Sequence, residues 1–105
     1  MTEEEISSIV GFDWDKGNSE KNWIKHHVTK NEIEEIFFNK PALLLTDEKH
    51  SSVGEKRLKI LGRTNLEKHL LIVFTVRNNQ IRPISARIMS LKERHLYEKA
   101  AQTNS

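Results

Sequence analysis

A chain of 105 residues and 12.3 kDa is the size of one small domain, able to bury one core and little more. It has no cysteine, which excludes disulfide staples, thiolate zinc sites and cysteine nucleophiles and makes a cytoplasmic setting the simplest expectation; its longest apolar run, Leu70 to Phe74, is far short of the ~20 residues that span a bilayer. The net charge of +2 hides a division: seven lysines and twelve carboxylates give residues 1–56 a net −5, whereas four lysines, six arginines and three carboxylates give residues 57–105 a net +7, a pattern that points to a polyanionic or charged partner.

Residues 1–11 read as a flexible acidic leader lacking the basic flank and apolar stretch of a signal peptide, residues 12–101 as a single domain and 102–105 as a tail. Phe12 to Asp15 alternates apolar with acidic residues, the period of a short strand. Gly17-Asn18-Ser19 then turns the chain, with Asn18 or Ser19 as the cap of a short helix from about Glu20 to His26 that buries Trp23 and Ile24. A second helix opens on a capping box, Thr29 with Glu32, and a staple of Val28 on Ile33. It presents Ile33, Ile36 and Phe37 as a stripe and ends before Pro41.

Ala42 to Thr46 is an apolar strand, followed by a polar loop to Gly54. Three further strands cover Arg57–Arg63, His69–Arg77 and Gln80–Ile88. Asn78-Asn79 suits a two-residue hairpin loop, which pairs Arg77 with Gln80, Thr75 with Arg82, Val73 with Ile84 and Arg87 with Leu70. Pro83 places the last strand at an edge or gives it a bulge. Ser90 with Glu93 caps a final helix running to about Ala101. The order β-α-α-β-β-β-β-α predicts an α+β fold: two N-terminal helices, an antiparallel β-meander and a C-terminal helix, with the helices on one face.

All six arginines fall between Arg57 and Arg94. An antiparallel meander brings Arg63 and Arg87 to one end of the sheet and Arg57 and Arg77 to the other; Arg82 lies mid-strand and Arg94 on the last helix. A guanidinium stays charged and grips two phosphate oxygens at once, so this set suits a phosphodiester. The plainer alternative is that arginines on strand faces solubilise the domain. His26 and His27 are adjacent, not at the i, i+4 spacing that chelates a metal, and there is no glycine-rich phosphate loop; no metal and no cofactor is expected. Lys25-His26 near a helix end supplies a candidate acid or base. Tyr97 shares a helix face with Arg94 and is either a core ring with its hydroxyl at the rim or an RNA-facing donor.

Phe12-x-Trp14-Asp15, Lys25-His26, Gly62-Arg63, Thr75-x-Arg77 and Ile84-Ser85-Ala86-Arg87, followed by Glu93 and Tyr97-Glu98, resemble the BrnT family of toxins over about Phe12 to Lys99. The resemblance implies a type II toxin with a RelE-like ribonuclease fold. It implies metal-independent RNA cleavage by 2′-hydroxyl attack, arrest of translation, and neutralisation by a BrnA-like DNA-binding antitoxin. A homodimer within the toxin–antitoxin complex is also implied, with operator DNA contacted only through the antitoxin. Carried onto matching positions, the candidates are Lys25, His26, Arg63, Arg77, Arg87 and Tyr97; all but Arg77 are read as catalytic, and Arg77 joins Arg57, Arg82 and Arg94 of the basic half as RNA-binding residues. Arg63 and Arg87 would supply charge at phosphorus, Lys25 or His26 proton transfer, and Tyr97 positioning. The sequence departs from the family pattern at His27, where a left-handed glycine usually ends the helix, and at Pro83. The alternative function is a non-catalytic nucleic-acid-binding or antitoxin-binding module acting in operon regulation.

Overall fold

The alternating runs of the second half become the central strands of a sheet in the computed structural model, which describes residues 9–20 and 25–103. Strands β1 (Gly11–Phe12), β2 (Leu43–Thr46), β3 (Leu58–Arg63), β4 (His69–Arg77) and β5 (Gln80–Ile88) form one five-stranded sheet in the order β1-β5-β4-β3-β2. The meander from β2 to β5 is antiparallel, as expected, but β1 joins β5 in parallel and makes the sheet mixed. β1 lies outside β5 in the strand order, but it pairs only Gln80 and Ile81 and stops short of Pro83.

The proline is accommodated by the bulge instead. Arg77 faces Gln80 and Thr75 faces Arg82, but Phe74 meets Pro83 and Val73 meets Ser85, which leaves Ile84 as the extra residue. Past the bulge the expected register is displaced by one, so Arg87 lies opposite Leu71 rather than Leu70. A shift of one residue reverses the face a side chain occupies. Arg87 therefore leaves the face of Leu70, Ile72 and Phe74 and joins that of Leu61 and Leu71. The loop of the hairpin has both asparagines in the left-handed region, φ 52° at Asn78 and 61° at Asn79, which matches the right-handed twist of the strands.

The helices are α1 (Lys16–Ser19), α2 (Lys30–Phe38) and α3 (Leu91–Thr103). The expected strand at Phe12–Asp15 is cut short because Asp15 is the cap of α1: its carboxylate accepts from the Asn18 N–H, and the Asn18 side chain accepts from the Asp15 N–H. Asn18 is thus inside the helix and buried, where its side-chain amide donates to the Asp13 and Pro83 carbonyls and ties α1 to β5. Trp23 and Ile24, the expected buried pair, lie outside the described residues, while Lys25 and His26 are helical. The Thr29–Glu32 capping box opens α2.

The sheet is covered on both faces, a correction to the one-sided arrangement expected from element order. On one face, Val28, Ile33 and Ile36 pack on Leu58, Ile60, Leu70, Ile72, Phe74, Ile81 and Ala86. Edge-on rings join Phe12 to Phe37 at 5.5 Å and Phe37 to Phe74 at 5.0 Å. Gly62 lets α2 approach: a Cβ there would lie 2.8 Å from Ile36 Cγ2. On the other face α3 sets Tyr97 with Leu61, Leu71 and Met89, against Leu43 and Leu45.

Candidate active site

The α3 face at the β3–β4 end of the sheet gathers four candidate side chains. Arg63 and His69 are direct cross-strand partners, and Arg87 is opposite Leu71, two residues on from His69 along the same face. Cross-strand partners stand about 5 Å apart at Cβ and diagonal neighbours about 7–8 Å apart, so His69 lies between Arg63 on one neighbouring strand and Arg87 on the other. Tyr97 closes the group from α3, its ring edge-on to His69 at 5.7 Å.

Each arginine is held in place. Arg87 and Glu93 form a two-pronged pair, Nη1 to Oε1 at 2.7 Å and Nη2 to Oε2 at 2.8 Å. The Arg87 hydrogen bonds, reinforced by the Ser90 N–H, hold the Glu93 carboxyl down to about 2, and Glu93 in turn raises Arg87. Ser90 and Glu93 also exchange capping bonds at the start of α3, so the cap anticipated from the sequence doubles as the clamp on Arg87. Arg63 donates to the Lys40 carbonyl at 3.0 Å and sits 3.5 Å from Glu67. Asn39, at the end of α2, donates to the Arg63 carbonyl and fixes the backbone on the other side. Both guanidinium groups remain partly open to solvent, with side-chain exposures of 39% for Arg63 and 42% for Arg87.

Tyr97 is buried, and its hydroxyl donates to the Pro41 carbonyl at 2.7 Å. Burial pushes the phenol up while the nearby Arg63 charge opposes it. The ring thereby ties α3 to the Lys40–Pro41 turn, whose other carbonyl receives Arg63.

Lys25 is exposed and His26 half-buried. The segment reaches the same end of the molecule through Lys68, in the turn after Arg63, whose ammonium donates to the His27 carbonyl at 3.1 Å and pairs with Glu32. His27 has φ 57°, so it adopts the left-handed conformation that the resemblance leads one to expect at this position.

The other arginines lie elsewhere. Arg57 and Arg77 share Glu55 at the opposite end of the sheet, at 3.5 and 2.7 Å, as the meander argument anticipated; the Arg77 hydrogen bond is the main cause of the lowered Glu55 carboxyl. Arg82 lies 2.7 Å from Asp15 and 3.5 Å from Asp13, and lowers the Asp15 carboxyl. Arg94 pairs with Glu98 along the exposed side of α3. All six arginines are therefore ion-paired, and all three carboxylates of the second half, Glu67, Glu93 and Glu98, hold one. The division between −5 and +7 along the chain is largely folded away in space. Among the described residues no group of three or more histidines and carboxylates is arranged to hold a metal, and no helix is long and apolar enough to cross a membrane.

Sequence reasoning missed two residues at this end. Glu93 was visible as a cap but not as the partner of Arg87, and His69 was visible only as the start of a strand. The signal for His69 was its place six residues after Arg63 across a tight turn, which an antiparallel register makes adjacent.

Two comparisons bear on these residues. A family model described as "Ribonuclease toxin, BrnT, of type II toxin-antitoxin system" matches residues 14–93. No curated protein matches the chain.

Proposed function

Since the chain belongs to the BrnT family of type II toxin–antitoxin ribonuclease toxins, we propose that it is an endoribonuclease that cleaves RNA in the cytoplasm, without a metal, and thereby arrests translation. The 2′-hydroxyl attacks the adjacent phosphorus, forming the O2′–P bond and breaking P–O5′, to leave a 2′,3′-cyclic phosphate and a 5′-hydroxyl. That reaction gathers negative charge on the non-bridging oxygens of a five-coordinate phosphorus and requires two proton transfers. Arg63 and Arg87 supply the positive charge; Lys25 or His26 moves a proton; Tyr97 positions Arg63 through the Lys40–Pro41 turn. Arg57, Arg77, Arg82 and Arg94 contact the RNA outside the cleavage point.

The observation that carries this reading is the convergence of Arg63 and Arg87, from different strands, on one face at one end of the sheet. Two guanidinium groups there provide charge stabilisation from the protein itself. A BrnA-like DNA-binding antitoxin neutralises the toxin, which is a homodimer within that complex, and operator DNA is met only through the antitoxin.

Purified protein incubated with RNA and a chelator is expected to give cyclic-phosphate ends, with Arg63→Ala and Arg87→Ala each slowing cleavage by about 10²–10³-fold, the range for losing one transition-state donor. Retained activity in both folded variants refutes the assignment. The carboxylates already engaged by both arginines, Glu67 and Glu93, favour a second reading, a non-catalytic module that binds nucleic acid or the antitoxin in operon control. On that reading RNA stays intact while binding weakens steeply with salt.

A further inference from the structure

We infer that His69 is the base that takes the 2′-hydroxyl proton, an assignment that rests on the ribonuclease reading above. His69 opens β4 directly across from Arg63 and diagonally from Arg87, on the face that carries both. Its ring is half-buried and braced edge-on by Tyr97, which is itself anchored on the Pro41 carbonyl. Packing against a fixed ring limits the imidazole to a narrow set of orientations, as a proton acceptor in a transition state requires.

His50 and His95 contrast with it. His50 spends its Nδ1 on the buried Asp47 carboxylate at the far end of the molecule, where the Asp47 N–H donates to the Arg57 carbonyl. His95 is on the exposed side of α3. Among the described residues, neither ring nitrogen of His69 meets a hydrogen-bond partner.

Arg63 lies directly across from His69 on one side and Arg87 diagonally on the other, so a phosphodiester that meets both guanidinium groups has its ribose near the ring. Neutral imidazole accepts the 2′-hydroxyl proton as O2′ bonds to phosphorus. The P–O5′ bond then breaks, and the departing oxygen takes a proton from Lys25 or His26, on the segment whose His27 carbonyl meets Lys68 beside His69. Exchange with water afterwards restores both groups. The charged and titratable groups facing His69 are Arg63 on β3, Glu67 in the following turn, Arg87 on β5, and Glu93 and Tyr97 on α3.

The test uses the full chain and a pool of random-sequence single-stranded RNA, with cleavage followed against pH. His69→Ala and His69→Gln are expected to lower kcat by about 10²–10⁴-fold with KM changed only a few-fold. The acid limb of the kcat profile should disappear, and added imidazole should restore part of the rate to His69→Ala. A wild-type rate in either folded variant, with the acid limb intact, overturns the assignment. In the wild-type protein the His69 ring resonances should move on adding RNA whose 2′-hydroxyls are methylated; unmoved resonances overturn it without any variant. Arg63→Ala and Arg87→Ala run alongside separate the two levels of the argument. If they are slow while the His69 variants are fast, only the base assignment fails; if they are also fast, the ribonuclease site itself is misplaced.

Discussion

Replacing Glu93 by glutamine isolates the charge of the clamp on Arg87. Glutamine still serves the third position of a capping box, so the start of α3 survives while the ion pair is lost. A carboxyl held at about 2 in the fold against an ordinary 4.5 corresponds to about 3 kcal/mol at ~1.4 kcal/mol per pH unit. Arg87 is 42% exposed and solvent screens the pair, which brings the expected contribution down to about 1 kcal/mol. The folded value lies below the unfolded one, so this stability is fully present above about 4.5 and is lost as pH falls toward about 2. Urea unfolding followed by circular dichroism should therefore show Glu93→Gln less stable than wild type by about 1 kcal/mol at pH 7, with the two converging near pH 2. Taking the difference between the two proteins removes the parallel acid loss from Asp15, Glu32 and Glu55, whose carboxyls are also lowered. A gap of the same size at pH 7 and pH 2 would refute the electrostatic account and assign the effect to packing.

Gly62→Ala should destabilise the fold by about 1–3 kcal/mol in the same assay, because the new methyl meets Ile36 at 2.8 Å in a fully buried contact; a neutral result would mean that α2 is not seated as described. Asn79→Gly should stabilise the hairpin by a few tenths of a kcal/mol, since glycine occupies φ 61° freely, whereas Asn79→Val should cost about 1–2 kcal/mol; equal midpoints for the two would exclude the left-handed loop. Thr29→Ala should cost about 1 kcal/mol by removing the oxygen that accepts from the Glu32 N–H, with Thr29→Ser recovering most of it.

The elements were legible where their signals are local. The caps at Thr29 and Ser90, the Asn78-Asn79 loop and the limits of β4 and β5 follow from turn chemistry and period-2 alternation, which involve residues a few positions apart. The ends of the sheet were legible too, because an antiparallel meander joined by short turns has few ways to fold; this is why Arg63 and Arg87 were placed at one end and Arg57 and Arg77 at the other. The cap of α1 was misread for a local reason. Asp15 fits both an alternating strand and a capping box, and the box won by tying Asn18 to β5.

What the tertiary structure alone decided is which face each arginine occupies and what it touches. Pro83 announced a bulge or an edge. Only the fold set β1 beside Gln80 and Ile81 of β5, and only the extra residue at Ile84 turned Arg87 onto the face of Arg63. The side of the sheet taken by α3 depends on the path of the chain after β5, and no periodicity within α3 encodes it. The partners of the arginines are similarly remote: Arg82 finds Asp15 across 67 residues and Arg77 finds Glu55 across 22. Charge along the chain is a sum that order in sequence fixes. Charge at a site is a distance, and distances between remote residues exist only once the chain has folded.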